Sequence, residues 1–228
     1  MQAHDMLYGF GYDSVTDDYK VVAVCRHDKK VKIYSLNTGI WKKAGDFPDV
    51  VLWDDAMFFN GSLYWVDYTS SSKPNILSFD LHREAYTQVL RPPFDEGDRR
   101  LYLGVLGDRL CVLDSREQTR VTDLWVRQDS GMDESWSKLA SIPHPDWAGG
   151  WGRYWQVYWM SNDGNILLQF GFRVVLYDTI NSTLTVLDDI EECQFICSFD
   201  ESLVSPLGPG IRYRLRSSRG KSRMGETS

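Results

Sequence analysis

Gly61-Ser62-Leu63-Tyr64-Trp65, followed after a polar loop by Ile76-Leu77-Ser78-Phe79-Asp80-Leu81-His82-Arg83-Glu84-Ala85-Tyr86, reads as a glycine turn, an apolar strand, a loop and a second strand. Phe79 is followed seven residues later by Tyr86, and the same spacing joins Tyr34 to Trp41 and Tyr177 to Leu184. Trp125 and Trp136 take the matching place in a fourth copy, with a longer gap. The steps from Tyr34 to Phe79, to Trp125 and to Tyr177 are 45, 46 and 52 residues. A period of this size marks an array of small β units, not a doubly wound or helical fold.

Working outward, four units emerge. The first covers 7–46: an aromatic, glycine-rich strand Leu7-Tyr8-Gly9-Phe10-Gly11-Tyr12, a Val-rich strand from Tyr19 to Cys25, an alternating strand from Val31, and a last strand opened by Ile40 and Trp41. The second covers 53–91, and its Asn60-Gly61 pair is the strongest two-residue hairpin signal in the chain. Pro92-Pro93 ends it, since proline donates nothing to a ladder. The third covers 100–142 and the fourth 152–187. Phe195 to Val204 reads as one further strand, and 207–228 as a disordered basic tail without apolar periodicity. The expectation is an all-β, kelch-like β-propeller or partial propeller. It has about four blade-like units plus the extra strand within a domain of residues 1–206.

Composition narrows function by exclusion. The formal charge is −7, but six basic residues against one Glu226 after Ile211 leave the remaining body at −12. An acidic body argues against a nucleic-acid groove, which needs a basic face. The basic end reads as a solubilising tail, with a nuclear-import or anionic-surface patch as its rival. Cys25, Cys111, Cys193 and Cys197 lack zinc spacing and read as reduced, mostly buried thiols. The N-terminus has no apolar leader, and no run has the length of a membrane span, so the expectation is a soluble protein of the cytoplasm or nucleus with no membrane partner.

At this point the residues resemble a family. Tyr8-Gly9-Phe10-Gly11-Tyr12-Asp13 with Asp18-Tyr19-Lys20-Val21-Val22 looks like the opening of the plant F-box-associated interaction domain. Further matching pieces follow in the right order: Asn60-Gly61-Ser62-Leu63-Tyr64-Trp65, Ile76-Leu77-Ser78-Phe79-Asp80, Asp123-Leu124-Trp125-Val126 with Ser135-Trp136, and Glu201-Ser202-Leu203-Val204-Ser205-Pro206. The match covers about residues 7–206, and S-locus F-box proteins lie within the same resemblance. It implies a kelch-like propeller that captures a substrate protein for an SCF-type ubiquitin ligase, without catalysis or cofactor. The family's F-box, which docks the ligase adaptor, has no counterpart within these 228 residues. The chain is therefore expected to be a fragment or a truncated product, which would reach the adaptor only through a missing F-box. A propeller lacking blades is expected to self-associate through unpaired edges and exposed apolar surface. The Gly-Gly pair of true kelch blades is missing from the repeat position: Gly149-Gly150 lies elsewhere.

No catalytic or metal-binding constellation stands out. His4, His27, His82 and His144 lie apart, no nucleophile motif occurs, and Gly9-x-Gly11 opens no helix. The acidic runs at 95–98 and 188–192 lack the alternation of a calcium loop and read as solvated faces. The most suggestive stretch is Trp147, Trp151, Trp155 and Trp159 with Tyr154 and Tyr158 between them. Gly149, Gly150 and Gly152 argue against a helix. As a strand over 153–160, Trp155 and Trp159 share one face, Tyr154 and Tyr158 the other, and both faces are expected in the core. Trp147 and Trp151, in a glycine-rich loop between units, are the candidate partner-binding residues, because exposed tryptophans anchor interfaces. They also leave open a glycan-binding, lectin-like propeller. A glycosidase is a third, weaker reading that needs two facing carboxylates.

Overall fold

The chain divides into two units, Met1–Cys197 and Ser198–Ser228. The computed structural model describes residues 6–187 apart from 71, 90, 96, 117, 131, 132 and 146–153, all within the first unit. The further strand expected at 195–204, the tail at 207–228, Cys193 and Cys197 lie outside the described residues.

Among the described residues, four antiparallel sheets of four strands each follow one another. Blade 1 holds β1 (Met6–Asp13), β2 (Asp18–Cys25), β3 (Val31–Ser35) and β4 (Ile40–Lys43). Blade 2 holds β5 (Met57–Phe59), β6 (Ser62–Asp67), β7 (Asn75–Asp80) and β8 (Ala85–Val89). Blade 3 holds β9 (Arg100–Leu106), β10 (Arg109–Arg116), β11 (Val121–Ser130) and β12 (Asp133–Pro143), and blade 4 holds β13 (Trp155–Met160), β14 (Asn165–Phe170), β15 (Arg173–Asp178) and β16 (Thr183–Val186). In each sheet the strands stand in chain order, so every blade is a meander closed by short turns. The first strand of each blade touches the first strand of the next, which makes β1, β5, β9 and β13 the innermost strands. This is the architecture of propeller blades, as the repeat predicts.

The turns explain the punctuation in the sequence. Asn60 and Gly61 both take positive φ (44° and 75°) between β5 and β6, the backbone that a two-residue hairpin matched to strand twist requires. At the third-to-fourth strand turns of blades 2 and 4 a carboxylate holds the chain. Asp80 accepts from the amides of His82 and Arg83 at 2.9 and 2.7 Å, and Asp178 from those of Ile180 and Asn181 at 2.8 and 3.0 Å. In blade 1 the Ser35 hydroxyl takes the same place, accepting from the Thr38 amide at 3.2 Å.

Alternation along the strands sends side chains into the two clefts flanking each blade. Three apolar clusters fill the three junctions. Val22, Val24 and Ile33 meet Leu63, Trp65 and Phe79 between blades 1 and 2. Tyr64 and Ile76 meet Leu110, Val112 and Trp125 between blades 2 and 3. Leu113, Leu124 and Val126 meet Trp155, Ile166 and Tyr177 between blades 3 and 4. The repeated aromatic therefore has one structural role: Phe79, Trp125 and Tyr177 each pack against the preceding blade. The glycines of β1 serve the same junction. A Cβ at Gly9 would stand 2.6 Å from Leu63 Cδ1, and one at Gly11 2.3 Å from Phe58 Cδ2. Bare backbone lets blade 2 press against blade 1, while Tyr8, Phe10 and Tyr12 point the other way, with Phe10 55% exposed.

Two readings of aromatic pairs change. In blade 3, Trp125 lies opposite Lys138 and Trp136 opposite Arg127, because a bulge at Leu124–Trp125 shifts the register. In blade 4, a bulge at Tyr158 puts Val157 opposite Leu168 and Trp159 opposite Leu167. Trp155 stays fully buried, but Trp159 is turned to the other face and is 53% exposed, so it is not the core residue that simple alternation predicts. Tyr154, expected in the core, also lies exposed, just ahead of the strand.

Candidate functional site

Trp147 and Trp151, the binding residues expected from sequence, lie outside the described residues. The described residues offer a different site. A cavity of 460 Å³ opens on the inner side of blades 2, 3 and 4, a size suited to a small ligand or a few side chains. We call it the mouth. Met57, Val66, Leu101 and Leu103 supply aliphatic lining, while Tyr102, Tyr154 and Phe172 supply rings. Asp54, Asp55 and Gln156 bring polar groups.

Each part of the lining is positioned by backbone that the local sequence dictates. The segment before β5 is pinned to blade 1: the Tyr8 amide donates to the Asp55 carboxylate at 2.8 Å, and the Ala56 amide to the Tyr8 carbonyl at 2.8 Å. On the other side, the Tyr68 hydroxyl donates to the Leu101 carbonyl at 2.9 Å and accepts from its amide at 3.0 Å, tying blade 2 to the innermost strand of blade 3. Trp53 stacks on Tyr68 with centroids 4.2 Å apart, and the Arg100 guanidinium lies 5.5 Å from the Trp53 ring. Arg26 donates to the Trp53 carbonyl at 2.6 Å. Phe172 sits at the tip of the hairpin between β14 and β15, beside Gly171 at φ 59°, and is 49% exposed. That tip is held from below, since the Gly171 amide donates to the Tyr154 carbonyl and the Gln169 side-chain Nε2 to the Gly171 carbonyl, both at 2.8 Å.

Tyr102 and Tyr154 meet edge to face at 5.4 Å, and the Tyr154 hydroxyl donates to the Gln156 side-chain carbonyl. Asp54 is open to solvent but stands in a concave surround. Desolvation there pushes its carboxyl above the ordinary value, against the pull of Arg100 and Arg26. Burial pushes the phenols of Tyr102 and Tyr154 up, and the charge of Asp54 adds to both. The mouth thus presents open aromatic faces and a carboxylate, which suits binding.

Other polar clusters are structural. His144 is buried between blades 3 and 4, with Nε2 2.9 Å from the Thr122 hydroxyl and 3.4 Å from that of Ser115, and it packs on Trp155 and Phe170. Arg99 pairs with fully buried Asp114 at 2.7 Å within blade 3. Among the described residues no group of three or more His, Cys, Asp or Glu is arranged to hold a metal ion. No helix among them is long and apolar enough to cross a membrane. Cys25 and Cys111 are free and buried, as their apolar strands predict.

Sequence reasoning missed the mouth because its parts are scattered over residues 54–172. Two local signals were available. Asp54-Asp55 is an acidic pair beside Trp53 at the entry to an innermost strand, and Phe172 is a large apolar residue at a hairpin tip, where turn chemistry favours polar ones.

Residues 2–205 match the F-box associated beta propeller domain. Relatives include an F-box/kelch-repeat protein of Arabidopsis thaliana, 33% identical over 210 residues, which are 87% of this chain and 56% of the relative. An F-box protein of the same plant is 33% identical over 178 residues, 71% of this chain and 43% of its own length. The Arabidopsis thaliana F-box protein CPR1 is 24% identical over 222 residues, 82% of this chain and 52% of its own length. The chain spans about half the length of the curated relatives it matches. With four blades among its described residues, its repeated inter-blade aromatics and its Gly-Phe-Gly opening strand, the chain belongs to the F-box associated β-propeller domain family of plant F-box proteins.

Proposed function

We propose that this chain is the substrate-capture part of an SCF-type ubiquitin-ligase receptor, and that it holds its target protein at the mouth of blades 2 to 4. The observation that carries this reading is the open aromatic cavity, with Tyr154 and Phe172 exposed at its rim. Interface anchors are typically aromatic and sit in pockets that exclude water once filled. In this reading the chain binds and positions, and transfer of ubiquitin falls to other subunits of the ligase. Such a receptor would work in the cytoplasm or nucleus.

The test is affinity purification of the tagged chain from plant cells with the proteasome inhibited, beside a Tyr154→Ala/Phe172→Ala double variant. The expected result is one protein recovered near stoichiometry with the parent chain, lost with the double variant, and more abundant in cells when the proteasome is blocked. Equal recovery by both chains overturns the reading. Release of the captured protein by free sugar would replace it with glycan binding.

A further inference from the structure

The chemistry of the mouth narrows what enters it. Its lining is largely apolar, yet the Asp54 carboxylate accepts no hydrogen bond from any described residue and feels Arg100 and Arg26 only through longer-range attraction. Asp55 differs, since it already accepts the Tyr8 amide. Arg100 and Arg26 attract Asp54 from a distance, but neither bonds to it. Arg100 lies over the Trp53 ring, and Arg26 is tied to the Trp53 carbonyl. An anionic ligand would meet two carboxylates. A purely apolar ligand would strip water from Asp54 and offer nothing in return, a costly arrangement for a charged group. A long cationic side chain meets both demands, because its methylene stem lies on apolar surface while its head stays polar. Aromatic faces also attract cations through their quadrupole, so the exposed rings of Tyr154 and Phe172 reinforce the preference. The body's charge of −12 draws cationic partners at longer range.

We propose that the mouth accepts an arginine or lysine side chain of the partner protein, its stem against Tyr154 and Phe172 and its charged head at Asp54. This rests on the reading of the mouth as the recognition site.

The experiment titrates the 228-residue chain with an N-acetylated, C-amidated pentapeptide carrying a central arginine among alanines. A second peptide carries citrulline, which keeps the shape and removes the charge. Calorimetry should give saturable binding of the arginine peptide and about fivefold weaker binding of the citrulline peptide, the scale of one solvent-accessible ion pair. Asp54→Asn should lower arginine-peptide affinity to the citrulline level and leave the citrulline peptide unaffected. Arg100→Ala, which removes a competing cation, should tighten arginine binding, a gain that a merely structural role for Arg100 would not produce. Absence of saturable binding overturns the proposal, as does equal affinity for both peptides or insensitivity to Asp54→Asn. If the peptides fail while Tyr154→Ala/Phe172→Ala still abolishes target capture, the ligand class is wrong and the recognition site stands. If the arginine peptide binds at Asp54 while target capture ignores the double variant, the cation site stands and the function proposed above falls.

Discussion

Lys20 in β2 of blade 1 donates a hydrogen bond to the carbonyl of Leu81 in blade 2 at 2.8 Å. The same buried ammonium pairs with Asp13 at 2.7 Å. One cation therefore closes the β1–β2 turn of its own blade and clips that blade to the next. Glu84 stands 3.8 Å from the ammonium and pairs with Lys42 at 2.5 Å, which extends the clip to the outer strand.

Lys20→Met leaves the Asp13 carboxylate buried without its cation. Removing one partner of a buried pair costs about 3–5 kcal/mol, and denaturant unfolding should report a loss of that order. The pH dependence follows from Asp13. Burial pushes its carboxyl up, but hydrogen bonds from the Lys20 ammonium, the Thr16 hydroxyl and the Val15 amide outweigh burial and hold it well below the usual carboxylate range. A depressed folded value contributes stability above the unfolded value, and that contribution is lost as pH falls through the folded one. The parent chain should therefore lose stability on acidification below about pH 4 more steeply than Lys20→Met. Parallel slopes would refute the assignment.

Gly11→Ala should destabilise the chain by about 1–3 kcal/mol, the usual range for overpacking. Its methyl would fall 2.3 Å from Phe58 Cδ2 and 2.7 Å from Leu81 Cδ1, so blade 2 must retreat. Gly45→Ala, with nothing within 4 Å, serves as the control and should change the melting temperature little. A melt of Gly11→Ala that superimposes on the parent would contradict the tight approach of the two blades.

Phe79 and Tyr34 hold the same place in the repeat but should differ in what truncation costs. Phe79 is fully buried against blade 1, and Phe79→Ala should cost about 3–5 kcal/mol. Tyr34 lies half-buried on the open face of blade 1, packed on Trp41 at 5.2 Å, with no preceding blade among the described residues. Tyr34→Ala should cost about 1–2 kcal/mol, nearer the ordinary effect of a substitution. Equal costs in paired denaturant melts would mean that the Tyr34 face is covered in solution.

Cys111 should resist alkylation in the native chain. It is fully buried, and burial pushes its thiol up to about 12, so almost no thiolate exists at neutral pH. Mass spectrometry after iodoacetamide at pH 8 should find Cys111 unmodified when folded and modified in denaturant. Labelling of the native chain at the rate of a free thiol would show that the junction between blades 3 and 4 opens.

The sequence by itself determined the strands, their turns and their grouping into repeating units, because these depend on neighbours within a few residues. Asn60-Gly61 turns a hairpin wherever it is placed, and a seven-residue step from Phe79 to Tyr86 brings two rings side by side across one turn. Unit boundaries were legible for the same reason, to within a few residues of the observed blades. The tertiary structure decided which alternate face of each strand meets a neighbouring blade and which is left open. Phe10 and Gly11 are adjacent in sequence, yet one points to solvent and the other makes room for Phe58. It also decided where alternation breaks, as the bulge at Tyr158 that exposes Trp159 illustrates. The mouth was the least legible feature. Asp54, Tyr102, Tyr154 and Phe172 come from segments attached to three different blades, and only the packing of β5, β9 and β13 around a common inner side brings them together. Residues so far apart in the chain exert no local preference on one another, so no periodicity or spacing could place them in one cavity.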